Sequence, residues 1–317
     1  MEKIPKIIFW GTSDFAIPTL ETLINNGYEI VTVITNPDEP VGRKKIITPP
    51  PVKIAAERYK IPIYQPENLK SYHLPPTTYP PDLFIVASYG KIIPKSILEM
   101  SRLGTLNIHP SLLPRWRGPS PVQYTVLSGD KKTGVTIMKI DELMDHGPII
   151  ATSEKIQVTR NTKYKELLDQ LSQIGAELLI DTLPKYLNGE IKPIPQDHSK
   201  ATYSKILSKE DGHVDWSKSA EEIDRMVRAL NPWPGVWSIT DFKRINKRLS
   251  IEEAENISEE HSSRQIGFTW QTKPDELCIQ TSHGSLKILR LTLEGKKSTS
   301  AVDFLRGNKD ILGKILK

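Results

Sequence analysis

The sequence predicts an α/β protein, in which a mostly parallel sheet with helices on both faces is followed by a small β-barrel. Three observations predict it. Strand-like apolar runs alternate with helix-like apolar spacing through the first 150 residues, the pattern of a sheet built from β-turn-α units. A long helical repeat of leucine and isoleucine closes that region. Beyond Val236 the chain breaks into short alternating segments separated by turn residues.

Each element has a local cause. Residues 6–11, KIIFWG, form a buried strand stopped by glycine, and Phe15, Leu20, Leu23 and Ile24 follow with helical spacing up to Asn26-Gly27. The unit repeats: residues 30–35 and 83–88 read as strands, 54–59 as a helix, and 105–109 as a shorter strand. Of the 25 prolines, 11 lie between Pro37 and Pro81, which predicts extended connections after the second and third strands. Apolar residues at 167, 168, 171, 174, 178, 179, 183 and 187 mark a helix within 161–189 that Gly189 ends. Asp215-Trp216-Ser217 opens a further helix, which the rigid Asn231-Pro232-Trp233-Pro234-Gly235 turn ends. Residues 277–281 and 286–291 read as barrel strands around His283-Gly284-Ser285, and the mixed-charge stretch 241–264 reads as a long solvated loop. The expected boundaries are a first domain at 1–189, a linker at 190–212 and a second domain at 213–317, with residues 1 to about 200 able to fold alone.

Composition narrows the function classes without choosing one. With 38% hydrophobic and 26% charged residues the chain carries enough apolar surface to fold, unlike a disordered one. A net charge of +5, from 43 basic against 38 acidic residues, permits a polyanionic partner without demanding it. Cys278 is the single cysteine, so an intrachain disulfide and a cysteine-based zinc site are excluded and a reducing, cytoplasmic setting is expected. The early apolar run 7–10 is cut short by Gly11 and Asp14, so neither a secretory signal nor a membrane span is expected.

The densest chemistry lies in Leu106-Asn107-Ile108-His109-Pro110-Ser111-Leu112-Leu113-Pro114, at the carboxyl end of a parallel strand, where open α/β sheets place their sites. Asn107 and His109 are two apart and project to one side. An amide donor and an imidazole there can hold a carbonyl oxygen that becomes negative and move the proton of an attacking group. A structural histidine at a strand end is the competing reading. Asp145, after the strand-like residues 135–140, can orient and charge-stabilise such a histidine, or simply serve as a turn aspartate before Gly147. Ser111 beside His109 and Asp145 hints at a serine hydrolase, but no G-x-S-x-G elbow is present. The first turn, Gly11 to Phe15, lacks G-x-G-x-x-G, which argues against a nicotinamide cofactor, and no P-loop occurs. Arg43-Lys44-Lys45, Lys243-Arg244 and Lys247-Arg248 are basic knots that either meet phosphate or are solvated. Seven scattered histidines without ligand spacing predict no metal.

Several motifs together resemble the folate-dependent formyltransferases over essentially the full length. They are Gly-Thr-x-x-Phe-Ala at Gly11 to Ala16, Asn107-x-His109-x-Ser111-Leu112-Leu113-Pro114-Arg115-Trp116-Arg117-Gly118, and Asp145-x-Gly147. Further matches, at Pro37-Asp38-x-Pro40-x-Gly42-Arg43, Thr133 to Met138, Asp215-Trp216-Ser217, Asn231 to Pro234 and Gly295-Lys296-Lys297, point to the members of the family that act on tRNA. The resemblance implies a Rossmann-like first domain that holds 10-formyltetrahydrofolate as formyl donor, and an OB-like second domain that helps to bind initiator methionyl-tRNA. It implies a catalytic trio of Asn107, His109 and Asp145, a folate border of Ser111, Leu112, Leu113 and Pro114, and a place for Phe15 near the methionyl side chain. Arg43, Lys44 and Lys45 then belong to a loop that approaches the acceptor stem, expected to be irregular and mobile over residues 36–51 until tRNA orders it. No metal and no obligate protein partner are implied. The chain departs from the family at Pro148, where aspartate is frequent, at His146, and at Glu39, where a basic residue is common. Two other readings stay open: a formyltransferase for a small amine, such as a nucleotide or an amino sugar, and a catalytically silent RNA-binding relative.

Overall fold

Unbroken apolar runs build the centre of the first sheet, because a strand covered by helices on both faces has no solvent side. In the computed structural model, which describes residues 4–42, 44–69, 81–242, 245–257 and 264–317, Ile7, Ile8, Phe9 and Trp10 are all fully buried. The chain divides into two units. The first comprises Met1–Pro121, Lys132–Gln157 and Lys165–Lys205, and the second Val122–Lys131, Val158–Tyr164 and Ile206–Lys317.

The first part of the chain contributes strands β1 (Lys6–Gly11), β2 (Glu29–Ile34), β3 (Glu39–Val41), β4 (Ile46–Thr48), β5 (Ile63–Tyr64), β6 (Leu83–Ala87), β7 (Thr105–His109), β8 (Lys132–Thr133), β9 (Thr136–Lys139), β10 (Ile149–Thr152) and β11 (Ile156–Gln157). Its helices are α1 (Ile17–Asn25), α2 (Pro51–Arg58), α3 (Lys95–Leu98), α4 (Pro121–Leu127) and α5 (Tyr164–Leu187). Seven strands form one sheet in the order β10-β9-β7-β6-β1-β2-β5. The five from β7 to β5 are parallel, and β9 is antiparallel to β7, so the sheet is Rossmann-like with a reversed strand near one edge. Trp10 anchors one face through edge contacts with Phe84 and Tyr89, at 5.7 and 5.1 Å between ring centroids.

Helix α5 fixes the strand that matters most below. Its buried stripe includes Leu167, Leu171, Ser172, Gly175, Ala176, Leu179 and Leu183. At Gly175 the helix lies so close to β7 that an added Cβ would stand 2.7 Å from Ile108 Cγ2. A larger residue there would force helix and strand apart. Ser172 Oγ also donates to Phe15 O at 2.7 Å.

The second unit holds α6 (Ala220–Leu230), β12 (Val236–Phe242), β13 (Ile245–Ile257), β14 (Thr269–Trp270), β15 (Leu277–Gln280), β16 (Ser285–Leu293), β17 (Thr299–Ser300) and α7 (Ala301–Gly307). Its strands form an antiparallel sheet in the order β12-β13-β16-β15-β14, with β17 on β16, as expected of an OB-like fold. No helix among the described residues is long and apolar enough to cross a membrane.

Three expectations change. Among the described residues of 241–264, where a solvated loop is expected, β13 occupies thirteen and pairs with both β12 and β16. Leu249 and Ile251, two apart, are fully buried, while Asn246, Glu255 and Asn256 are exposed. Asp215 does not open a helix but accepts from Ser217 N–H at 3.0 Å in a turn, and α6 begins after Ser219, whose capping box with Glu222 satisfies two end groups. Within the loop expected to be irregular, β3 and β4 pair as a hairpin around Gly42 and Lys45, both at positive φ. Val122–Lys131 and Val158–Tyr164 group with the second unit, where Arg225 Nε donates to Leu127 O at 3.0 Å and Arg228 Nη1 to Thr162 O at 2.9 Å. The first unit runs on to Lys205, past the start expected for the linker at residue 190.

Candidate active site

Strand β7 runs between β6 and β9, with Asn107 opposite Val86 and Met138, and His109 opposite Thr136. Because α5 covers the Ile108 face, alternation sends Asn107 and His109 to the other. His109 is almost wholly buried, and its Nε2 lies 2.9 Å from Trp116 O. A carbonyl only accepts, so Nε2 carries a hydrogen and donates it. The opposite nitrogen, Nδ1, stands 3.6 Å from Asp145 Oδ1, within ion-pair range but too long for a hydrogen bond. Asn107 is half-buried, and among the described residues its side-chain amide has no hydrogen-bond partner.

Asp145 is held from several sides. Its backbone is left-handed, at φ 48°, and Gly118 N–H donates to its Oδ2 at 2.7 Å. Gln196 Nε2 donates to Asp145 O at 2.9 Å and to Gly147 O at 2.7 Å. Gln196 Oε1 in turn accepts from Arg117 Nε and Nη2, at 3.2 and 2.7 Å. Only glycine fits at 147, since an added Cβ would run into Lys139 O. Beside Gln196, the Lys200 ion pair and the Ser199 hydroxyl hold the Asp197 carboxyl down to about 2.

The loop after β7 is equally tied. Ser111, buried, donates from Oγ to Arg115 O at 2.6 Å, and Thr136 Oγ1 donates to Ser111 O at 2.7 Å while accepting Leu113 N–H at 3.0 Å. Leu113 is buried, Leu112 and Pro114 half-buried, and the Leu113–Pro114 peptide is cis. Trp116 N–H donates to Thr202 Oγ1 at 2.9 Å, and Gly118, at φ 104°, lies against the Ser204 backbone, where a Cβ would be 2.5 Å from Ser204 O.

The structure thus brings Asn107, His109 and Asp145 together at the strand end, with Ser111, Leu112, Leu113 and Pro114 in the adjoining loop. Phe15 is buried in the turn after β1. Lys44 and Lys45 are exposed on the β3–β4 turn, and Arg43 lies outside the described residues. Local sequence does not single out Arg117, Gly118 or Gln196 as site residues. Arg117 and Gly118 are visible only as part of a motif, and Gln196, between proline and aspartate in an expected linker, carries no local signal. Among the described residues, no three His, Cys, Asp or Glu side chains gather as a metal site would require.

Residues 5–183 match the family model described as formyl transferase, and residues 206–309 the one described as formyl transferase, C-terminal domain. The chain belongs to the formyltransferase family. Among relatives of this formyltransferase, the methionyl-tRNA formyltransferase of Bacillus velezensis is 40% identical over 315 residues, covering 97% of this chain and 98% of that one. Its namesake from Chloroflexus aurantiacus is 41% identical over 307 residues, covering 95% and 96%. The fold resembles the N-formyltransferase from Helicobacter canadensis, solved with folinic acid and dTDP-3-aminofucose, at TM-score 0.64 and 18% identity over 90% of this chain and 98% of that one. It also resembles HypX from Aquifex aeolicus, solved with tetrahydrofolic acid, at TM-score 0.61 and 20% identity over 96% of this chain. The chain spans 47% of that longer protein, and both likenesses concern the fold.

Proposed function

We propose that this formyltransferase moves the formyl group of 10-formyltetrahydrofolate to the α-amine of initiator methionyl-tRNA, in the cytoplasm, giving the N-formylmethionyl-tRNA that starts translation. The observation that carries the reading is the unpartnered Asn107 amide beside a His109 ring held against Asp145. The relatives named methionyl-tRNA formyltransferase, alike over both units, support the choice of tRNA.

The donor, when bound, supplies an activated formyl carbonyl, and the apolar Leu112-Leu113-Pro114 loop suits a flat heteroaromatic ring. Asn107 donates to the formyl oxygen as it gains charge, an effect of about 2.7–4 kcal/mol for one such donor. Because Nε2 of His109 keeps its hydrogen on Trp116 O, Nδ1 is the nitrogen that takes the proton of the attacking amine. The positive charge then on the ring faces Asp145 Oδ1, the oxygen that Gly118 leaves open. His109 returns that proton to the folate nitrogen as it departs. The ester link to tRNA makes the methionyl amine less basic, so it attacks in its neutral form. Lys44 and Lys45, out on their hairpin turn, meet the phosphates of the acceptor end.

The test is incubation with 10-formyltetrahydrofolate and, in parallel, charged initiator tRNA, charged elongator methionyl-tRNA and an amino-sugar nucleotide. Formylation of the initiator species is expected. Formylation of the small amine with none on tRNA overturns the substrate; transfer to no amine leaves an RNA-binding relative.

A further inference from the structure

Asp145 works only if its carboxylate is aimed, and its backbone at φ 48° is left-handed, a region uncommon outside glycine in which aspartate is among the better tolerated side chains. We propose that Gln196, itself oriented by Arg117, is a positioning residue that locks the Asp145 turn and so sets the His109–Asp145 pair; this rests on the formyl-transfer reading of that pair.

The orientation of the Gln196 carboxamide is fixed by chemistry. A guanidinium only donates, so it faces Oε1; two carbonyls only accept, so they face Nε2. All four of its hydrogen-bonding positions are used: Arg117 Nε and Nη2 on the oxygen, Asp145 O and Gly147 O on the nitrogen. The two carbonyls flank His146, so the carboxamide closes a ring across the turn. Both side chains are nearly buried, Arg117 at 2% and Gln196 at 5% exposure.

Arg117 also sits between the two backbone groups that hold the pair. The residue before it offers Trp116 O to His109, and the residue after it offers Gly118 N–H to Asp145. One short segment therefore ties the histidine, the carboxylate and, through Gln196, the carboxylate's own backbone. Outward, Arg117 Nη2 donates to His198 Nδ1 at 2.8 Å, and the His198 ring stacks on His146 at 4.0 Å with the planes 5° apart. Among the described residues no carboxylate forms an ion pair with Arg117. Burying a guanidinium without one is costly, and simple packing would be met by an apolar side chain.

The test reads the pH at which the His109 imidazole NMR signals move, assigned by their loss in His109→Ala, in full-length wild type, Asp145→Asn, Gln196→Met and the double variant. Gln196→Met keeps the volume and removes every hydrogen bond. It is expected to move the His109 midpoint in the same direction as Asp145→Asn, with no further movement in the double variant. In transfer assays kcat is expected to fall about ten- to a hundredfold, the scale for a displaced catalytic group, with KM for the donor nearly unchanged and no added loss in the Asp145→Asn background. Arg117→Lys, which keeps the charge but cannot fork onto Oε1, is expected to give a smaller movement of the same sign and serves if Gln196→Met does not fold. A wild-type midpoint in these variants, or losses that add to those of Asp145→Asn, overturns the positioning role. Absence of transfer by wild type speaks against the formyl-transfer reading, while the NMR comparison still decides the role of Gln196.

Discussion

His109 Nδ1 and Asp145 Oδ1 face each other across 3.6 Å, while the far ends of both side chains are tied to one segment, at Trp116 O and Gly118 N–H. The pair is aimed but not closed, a geometry that tightens when a substrate proton arrives. His109→Ala and Asp145→Asn are each expected to lower turnover by about a hundredfold or more, the scale for loss of an acid/base group. Folate binding should change far less. Steady-state kcat beside equilibrium folate binding checks this, and near wild-type turnover in both variants removes the pair from the mechanism.

Gly147→Ala is expected to destabilise the protein by about 3 kcal/mol, because its new Cβ meets the Lys139 carbonyl, a backbone atom that cannot swing away. Gly307→Ala is the control. Its Cβ would meet nothing within 4 Å, so its stability should stay within about 0.5 kcal/mol of wild type. Urea unfolding of the two variants gives the comparison; equal stabilities would show that the 147 turn yields.

Most of the first sheet was legible because strands buried on both faces leave unbroken apolar runs, as at 6–11, 83–87 and 105–109. Strand β13 was not, because one of its faces is solvated and its charges outnumber Leu249 and Ile251 in any local count. The β3–β4 hairpin was hidden by Pro40 and the cationic turn, since an exposed two-stranded ribbon needs no apolar alternation. Asn107 and His109 could be placed on one side by period alone. Their partners could not, because Gln196 reaches Asp145 across 51 residues and the signal of such a bond lies in the fold.

Replacing Lys44 and Lys45 together with alanine is expected to weaken tRNA binding and flatten its salt dependence, by up to about one unit of slope for each phosphate that is no longer neutralised. Both side chains are exposed on a turn of their own, so folate binding should be unaffected. Filter binding at several salt concentrations, with folate titration in parallel, measures both. An unchanged slope would remove the hairpin turn from the tRNA interface.

A fragment ending at Lys205 lacks Arg225 and Arg228, the donors to Leu127 O and Thr162 O. Each missing bond to a charged donor costs about 1.5–3 kcal/mol. The fragment is expected to melt below the full chain and to show a raised KM for tRNA. Calorimetry and initial rates check the two effects separately. A fragment with the melting temperature and KM of the full chain would show that the second unit supports neither stability nor tRNA binding.

The most direct test of formyl transfer at this site is the single-turnover rate with saturating 10-formyltetrahydrofolate and charged initiator tRNA, in wild type and in Asn107→Ala. Asn107 offers the amide that nothing else in the described structure engages. Its loss should slow the chemical step by about 10²–10³, the cost of removing one oxyanion donor, with folate affinity little changed. A rate within a few-fold of wild type would contradict the assignment of the formyl oxygen to Asn107 and with it the placement of the reaction at the end of β7.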